Sequence, residues 1–176
     1  MKGLHPISTD SLIEIGRALN GADVTYVVVG GIAVIKHGVA RTTTDLDLAI
    51  QLEPSNVERA LSALEEIGYQ PNVPVKITDF ADPSMRQSWI EEKNMVVFQL
   101  INDRTRCTPI DVFVAEPFDV AVERAAAIEV DMGDGVTYPI IRLETLLRMK
   151  KEAARGKDLE DIKSLELLGK YGPLQD

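Results

Sequence analysis

The chain has 176 residues, of which 45% are hydrophobic, and its formal net charge is −9 at pH 7. This length and composition predict a single globular domain over residues 1–176 with a sizeable core. The acidic charge disfavours tight, non-specific binding to nucleic acid, because that affinity comes mainly from lysine and arginine side chains that neutralise phosphates.

The first chemically informative feature is a glycine pair that follows a predicted buried strand at residues 26–29. Gly30 and Gly31 separate this strand from a predicted short helix that ends at Gly38. A helix that begins at two glycines offers backbone N–H groups and allows a phosphate to approach the backbone closely. Gly30 and Gly31 are therefore candidate nucleotide ligands, with a tight strand-to-helix turn as the alternative.

Two carboxylates come next, at the spacing of a β-strand. Asp45 and Asp47 alternate with Leu46, Leu48 and Ile50. This period of two predicts that the apolar residues face the core and that both aspartates share the opposite face. Mg²⁺ is commonly bound by one or two carboxylates together with substrate phosphates, so the aspartates are candidate metal ligands. The alternative is an ordinary strand with an acidic solvent-facing side.

A third carboxylate, Asp111, lies in another run that is typical of a strand. Residues 95–101 and 108–114 are predicted to form a hairpin, and Asp103, in the polar turn between them, competes only weakly as a ligand. If the Asp111 strand lies beside the Asp45 strand, three carboxylates meet. Three carboxylates are sufficient to hold two divalent ions and to support displacement at a phosphorus atom.

The other predicted elements extend along the rest of the chain. They are a helix from an N-cap at Ser8 or Thr9 to about Leu19, a helix at 54–67, a strand within 69–78, a short helix at 83–93, a helix at 118–127, a hairpin or loop at 128–141, and amphipathic helices at 143–155 and 158–168, the last with Asp158 as N-cap. This order predicts an α/β (α+β) fold with a mixed sheet, a core over about residues 20–116 and a small C-terminal helical tail over about 117–176.

Two simpler features of the sequence bear on where the protein works. The single cysteine, Cys107, excludes a disulfide within the chain and is expected to be a small buried residue. No run approaches the roughly 18 consecutive apolar residues of a membrane span. We therefore expect a cytoplasmic protein that does not enter a membrane.

The residues above form a recognisable series. Gly30-Gly31, the run Arg41-x-Thr43-x-Asp45-x-Asp47, and Ile110-Asp111-Val112 are followed late in the chain by 146–150 and 155–162. This series resembles the nucleotidyltransferase superfamily that shares its catalytic domain with DNA polymerase β. The resemblance spans residues 24–168 and is closest to the branch of abortive-infection toxins and of aminoglycoside and lincosamide nucleotidyltransferases. Many relatives have Gly-Ser where this chain has Gly30-Gly31.

The resemblance implies a reaction and a set of catalytic residues. It implies a Mg²⁺-dependent transfer of a nucleoside monophosphate from a nucleoside triphosphate such as ATP to a hydroxyl on an RNA end such as that of tRNA, a protein or a small molecule. Asp45, Asp47 and Asp111 are implied to be catalytic and to hold two Mg²⁺ or Mn²⁺ ions. The alternative is a non-catalytic or regulatory module, such as one component of a toxin–antitoxin pair with a partner protein.

Three further residues are candidate nucleotide ligands. Arg41 is expected either to contact a phosphate or to form an ion pair with Asp45 or Glu53. Thr43 shares a strand face with the aspartates and is expected to orient them by a hydrogen bond, with simple β-propensity as the alternative. In similar proteins a lysine at the position of Lys150 reaches the phosphates, and the alternative is a solvated helix residue.

Overall fold

The computed structural model describes residues 7–104 and 108–171, and Cys107 lies outside these ranges. The helices in the described part are α1 (Thr9–Gly21), α2 (Gly30–Lys36), α3 (Pro54–Glu66), α4 (Pro83–Lys93), α5 (Val120–Ala126), α6 (Leu143–Ala153) and α7 (Gly156–Tyr171). The strands are β1 (Tyr26–Val28), β2 (Leu46–Ile50), β3 (Gln70–Pro71), β4 (Val97–Ile101), β5 (Ile110–Phe113), β6 (Ile128–Asp131) and β7 (Thr137–Ile140).

The strands form a mixed sheet, as the sequence predicts, and their order is β3-β4-β5-β2-β1-β7-β6. Strand β2 runs parallel to β5 and antiparallel to β1. The predicted hairpins are both present, since β4 pairs antiparallel with β5 and β6 pairs antiparallel with β7. The centre of the sheet is therefore made by the two strands that carry the aspartates.

The register of the central strands decides where the carboxylates lie. Asp47 on β2 is directly opposite Asp111 on β5. Leu46 and Leu48 are fully buried, and Ile50 is nearly so, which fixes the apolar face of β2 against the core. Because side chains alternate along a strand, a slip of one residue would move the aspartates into the core. The core packing therefore holds both carboxylates on the same side of the sheet.

The predicted strand within 69–78 is wrong over most of its length. Only Gln70–Pro71 pair with β4, and a 3₁₀ helix follows at Ile77–Ala81. Pro71 and Pro74 have no backbone N–H to donate to a ladder, so a longer strand is disfavoured. The Asp79 carboxylate accepts the Lys76 N–H at 3.0 Å and stabilises the start of the 3₁₀ helix.

The C-terminal helices pack against the rest of the fold through buried apolar residues that include Leu146 on α6 and Leu165 on α7. Helix α7 begins at Gly156, so the prediction that Asp158 is its N-cap is wrong. Asp158 lies instead in the first turn, where its carboxylate accepts the Arg155 N–H at 3.2 Å. Within residues 7–104 and 108–171, no helix is both long and apolar enough to cross a membrane.

Candidate active site

Asp45, Asp47 and Asp111 line one cleft together with Gly30 and Gly31. Asp45 immediately precedes β2, while Asp47 and Asp111 are the second residues of the parallel strands β2 and β5. The carboxylates therefore meet near the N-terminal ends of two neighbouring strands. The structure brings together the three acidic residues that the sequence singles out, and it places them beside the start of α2.

The Asp47 carboxylate lies against the glycine pair and leaves no room for a side chain at position 30. Helix α2 begins at Gly30 itself, two residues earlier than the sequence predicts, and Gly30 has a φ of +63°. A Cβ on Gly30 would lie 1.9 Å from Oδ2 of Asp47. The Gly31 N–H donates to the same oxygen at 3.3 Å. The close approach that requires glycine at position 30 is thus, in this structure, an approach to Asp47.

A side chain is also excluded at the second glycine. A Cβ on Gly31 would lie 2.4 Å from Oγ1 of Thr43. Thr43 in turn donates to Oδ1 of Asp45 at 3.0 Å, which confirms the predicted orienting hydrogen bond. The threonine therefore occupies the space that a serine at position 31 would need.

Asp111 is held by a residue that the sequence analysis does not identify. Gln99 lies opposite Asp111 in the β4–β5 pairing, and its Nε2 donates to Oδ1 of Asp111 at 2.9 Å. Burial raises the pKa of Asp111, the Gln99 hydrogen bond opposes this rise, and the charge of Asp45 adds to it. The predicted hairpin contains the signal, since Gln99 is a polar residue in the middle of an apolar strand.

The metal-free site holds negative charge at a cost in free energy. Burial is the largest cause that raises the pKa of Asp47 to about 6, and the charges of Asp45 and Asp111 contribute to the same rise. The Gly31 N–H and the Lys150 ammonium act in the opposite direction without cancelling this rise. A group whose charged form is disfavoured in this way binds a cation readily, because the cation removes the repulsion.

The donor set fits a hard divalent cation that arrives with phosphates. Among the described residues, no group of three or more His, Cys, Asp or Glu side chains is placed so that it could hold a metal ion by itself. Mg²⁺ rarely needs such a cage, because it binds one or two carboxylates and completes its shell with water and substrate phosphates. Asp45, Asp47 and Asp111 supply oxygen ligands of the kind that Mg²⁺ prefers.

The cationic residues reach the cleft from outside the acidic strands. Arg41 and Lys150 both line the cleft, but each forms an ion pair with helix α7. The prediction that Arg41 pairs with Asp45 or Glu53 is wrong, since its Nη1 contacts Oδ2 of Asp161. Lys150 is 7% exposed, so the alternative of a solvated helix residue is wrong as well.

The remaining wall of the cleft is partly apolar. Its apolar residues are Val29, Phe113, Leu146, Met149 and Ala153, and its charged residues are Arg155, just before helix α7, and Lys157 and Asp158 in the first turn of that helix. The cleft has a volume of about 160 Å³. A larger, open groove of about 740 Å³ lies between α1 and α3. None of the three carboxylates lines that groove, so the smaller cleft is the candidate site on chemical grounds.

The fold and the cleft together define a nucleotidyltransferase-type enzyme, with strand carboxylates beside a glycine turn. Residues 8–174 match the model of the family described as "Nucleotidyl transferase of unknown function (DUF2204)". The match covers nearly the whole chain, and the chain therefore belongs to this family. No curated protein matches the chain at a significant level.

Solved structures with a similar fold share little sequence with the chain. The lincomycin-bound lincosamide antibiotic adenylyltransferase LnuA has a TM-score of 0.57 at 18% identity, and the match covers 92% of this chain and 98% of that one. An antigenic nucleotidyltransferase-like protein from Paracoccidioides brasiliensis has a TM-score of 0.60 at 17% identity, with 93% and 79% covered. The antibiotic-resistance factor ANT(2'')-Ia has a TM-score of 0.57 at 14% identity, with 89% and 81% covered. These similarities establish the fold.

Replacing Gly30 with alanine should displace the Asp47 carboxylate. The new Cβ would overlap the Asp47 side chain, and the φ of +63° at this position is unfavourable for alanine. We expect Gly30→Ala to lower the free energy of unfolding by about 2 to 4 kcal/mol, measured by denaturant titration. Gly21→Ala is the matched control, because a Cβ there meets nothing within 4 Å. Equal stability of the two variants would contradict the close approach.

Replacing Asp47 with asparagine should stabilise the metal-free protein. The pKa of Asp47 rises from 3.8 to about 6, so the folded protein holds this proton more tightly than the unfolded chain does. The stability of the wild type should therefore fall as the pH rises from about 4 to about 6 and stay lower above that. At pH 7.5 we expect Asp47→Asn to be more stable by roughly 1 to 3 kcal/mol.

Denaturant titrations without metal between pH 4.5 and 8 measure this difference. The advantage of Asp47→Asn should shrink as the pH falls through the pKa of Asp47, since the wild-type carboxyl becomes neutral there. Glu58→Gln, on the exposed side of α3, should follow the wild type at every pH. A difference that does not change with pH would mean that Asp47 is not held under electrostatic repulsion.

Proposed function

We propose that the protein transfers a nucleoside monophosphate from a nucleoside triphosphate to an acceptor hydroxyl, with Mg²⁺ bound at Asp45, Asp47 and Asp111. The observation that carries the proposal is the convergence of these carboxylates in one cleft beside Gly30 and Gly31. An acidic strand face without a function would not need to hold Asp47 against burial and two neighbouring charges. The chain's membership of a nucleotidyl transferase family supports the reaction class.

Bound divalent ions would supply positive charge that stabilises the oxygens of the transferring phosphorus and of the leaving group. In this proposal Asp45 and Asp47 provide ligands, and their own neighbours keep them in place. Thr43 orients Asp45, while the Gly31 N–H orients Asp47. The site is thus organised by hydrogen bonds before substrate arrives, which lowers the cost of reaching the reactive geometry.

Asp111 is the proposed acceptor of the proton from the attacking hydroxyl. Gln99 holds the carboxylate by one oxygen, which leaves the other oxygen free to face the acceptor hydroxyl. The acceptor oxygen forms a bond to the α-phosphorus as the bond from that phosphorus to the bridging oxygen breaks. Pyrophosphate leaves with the electron pair of the broken bond, and the proton passes to Asp111.

A small cationic molecule with free hydroxyls is the acceptor class that the chain favours. The net charge of −9 disfavours approach of a polyanion such as RNA. Two proteins with a similar fold are an antibiotic adenylyltransferase and an antibiotic-resistance factor. The half-buried apolar residues Phe113 and Met149 offer a surface for the carbon skeleton of such a molecule.

Transfer should require all three aspartates. We expect Asp45→Asn, Asp47→Asn and Asp111→Asn each to lower turnover by at least about a thousandfold, because each removes a ligand or base that acts in the transition state. The assay supplies each of four labelled triphosphates with Mg²⁺ and, in separate arms, lincosamide and aminoglycoside antibiotics, tRNA, or cell protein. Glu58→Gln is the control and should keep full activity.

The arms of this assay separate the possible acceptors. Label on the antibiotics supports the proposed acceptor class, whereas label on tRNA or on protein would overturn that class while supporting the reaction. If the three aspartate variants turn over substrate as fast as the wild type does, the catalytic residues lie elsewhere in the chain.

A further inference from the structure

One carboxylate oxygen on helix α7 joins two cations that belong to different parts of the fold. Oδ2 of Asp161 accepts from Nζ of Lys150 at 2.7 Å and from Nη1 of Arg41 at 2.5 Å. Lys150 lies on α6, and Arg41 lies in the segment between α2 and β2. Two like charges that share one oxygen are close together, and Asp161 compensates their mutual repulsion.

The cluster is buried, so its pairing is energetically important. Asp161 is 6% exposed and Lys150 is 7% exposed. Nζ of Lys150 also donates to Oδ1 of Asp158 at 3.2 Å, so the ammonium has two carboxylate partners. A buried charge is tolerated only when it is paired, and removing one partner leaves the other poorly solvated. The position of the Lys150 side chain therefore depends on helix α7.

The two cations face the cleft, but the carboxylate that joins them does not line it. Arg41, Lys150 and Asp158 line the cleft, whereas Asp161 does not. The ammonium of Lys150 is near enough to Asp47 to lower the pKa of that carboxyl. Arg41 and Lys150 thus lie between the acidic residues of the sheet and the carboxylate of α7, where an incoming polyphosphate would meet both positive charges.

We propose that Asp161 is a positioning residue that holds Arg41 and Lys150 in place for the phosphates of the nucleoside triphosphate. The inference rests on the proposed function, and it deepens that function by assigning helix α7 a part in nucleotide binding. Asp158 and Asp161 are three residues apart and so lie on one face of α7. Both contact Lys150 from that face. In this proposal helix α7 contributes to nucleotide binding as well as to packing.

The kinetic test compares Asp161→Asn with Glu160→Gln, an exposed neighbour on the same helix. The assay uses Mg²⁺ with whichever triphosphate the wild type turns over. We expect Asp161→Asn to raise KM for the triphosphate at least tenfold and to change kcat much less, because Asp161 acts on phosphate ligands and touches no reacting atom. Glu160→Gln should match the wild type. An unchanged KM, or a loss confined to kcat, would overturn the inference.

A second variant covers the case in which Asp161→Asn does not fold. Asp161→Glu keeps the negative charge, and we expect it to fold and to raise KM for the triphosphate less than Asp161→Asn does. If Asp161→Asn is unfolded, we expect Asp161→Glu to raise KM by less than tenfold. If either variant at position 161 has a normal KM for the triphosphate but a lower melting temperature, Asp161 has a purely structural role and the inference is overturned. A melting temperature close to that of the wild type, with a raised KM, supports positioning.

Amine labelling tests the positioning without any nucleotide. Acetic anhydride should modify Lys150 slowly in the wild type and at least fivefold faster in Asp161→Asn, as followed by peptide mass spectrometry. Lys151 is exposed and serves as the internal reference. Faster labelling of Lys150 supports the part of the inference in which Asp161 holds the Lys150 ammonium in place, and a raised KM supports its role toward phosphates. If Lys150 is labelled faster but no triphosphate is turned over, the result counts against the proposed function alone. An unchanged rate at Lys150 overturns the inference.

Discussion

The repulsion among three carboxylates is the constraint on which the rest of the site depends. Asp45, Asp47 and Asp111 lie at the starts of two neighbouring strands, and burial together with the charges of the other two raises the pKa of Asp47. Each carboxylate is held by one neutral donor, namely Thr43, the Gly31 N–H or Gln99. These hydrogen bonds fix the orientation of the carboxylates but do not remove their charge. The site therefore keeps a strong preference for cations.

The two sides of the cleft come from different parts of the chain and have opposite charge. The sheet contributes the acidic side, whereas the mainly cationic side comes from Arg41 and from Lys150 on α6, both paired with Asp161 on α7, and it includes one carboxylate, Asp158. A nucleotide that brings phosphates and a divalent ion together would satisfy both sides at once. The cleft of about 160 Å³ is smaller than the roughly 300 Å³ at the low end of ligand sites, so a triphosphate would extend beyond it.

The sequence predicts the acidic side of the site well, because strand periodicity fixes which residues share a face. The alternation around Asp47 suffices to place both aspartates on one side of β2, and the hairpin pattern places Asp111 on a strand. The pairing partners of Arg41 and Lys150 are not predictable in this way, since they depend on how α7 docks. Periodicity also does not reveal that β3 ends at Pro71 after two residues, because proline has no backbone N–H to donate to the neighbouring strand.

The most direct test of the central claim is a crystal structure of the protein with Mn²⁺ and a triphosphate that cannot be cleaved between the α- and β-phosphorus atoms. Mn²⁺ gives an anomalous signal that identifies the ion. We predict an anomalous peak about 2 Å from carboxylate oxygens of Asp45 and Asp47, with the α-phosphate on the same ion. A triphosphate bound elsewhere, or a cleft in which Mn²⁺ contacts none of the three aspartates, would contradict the account.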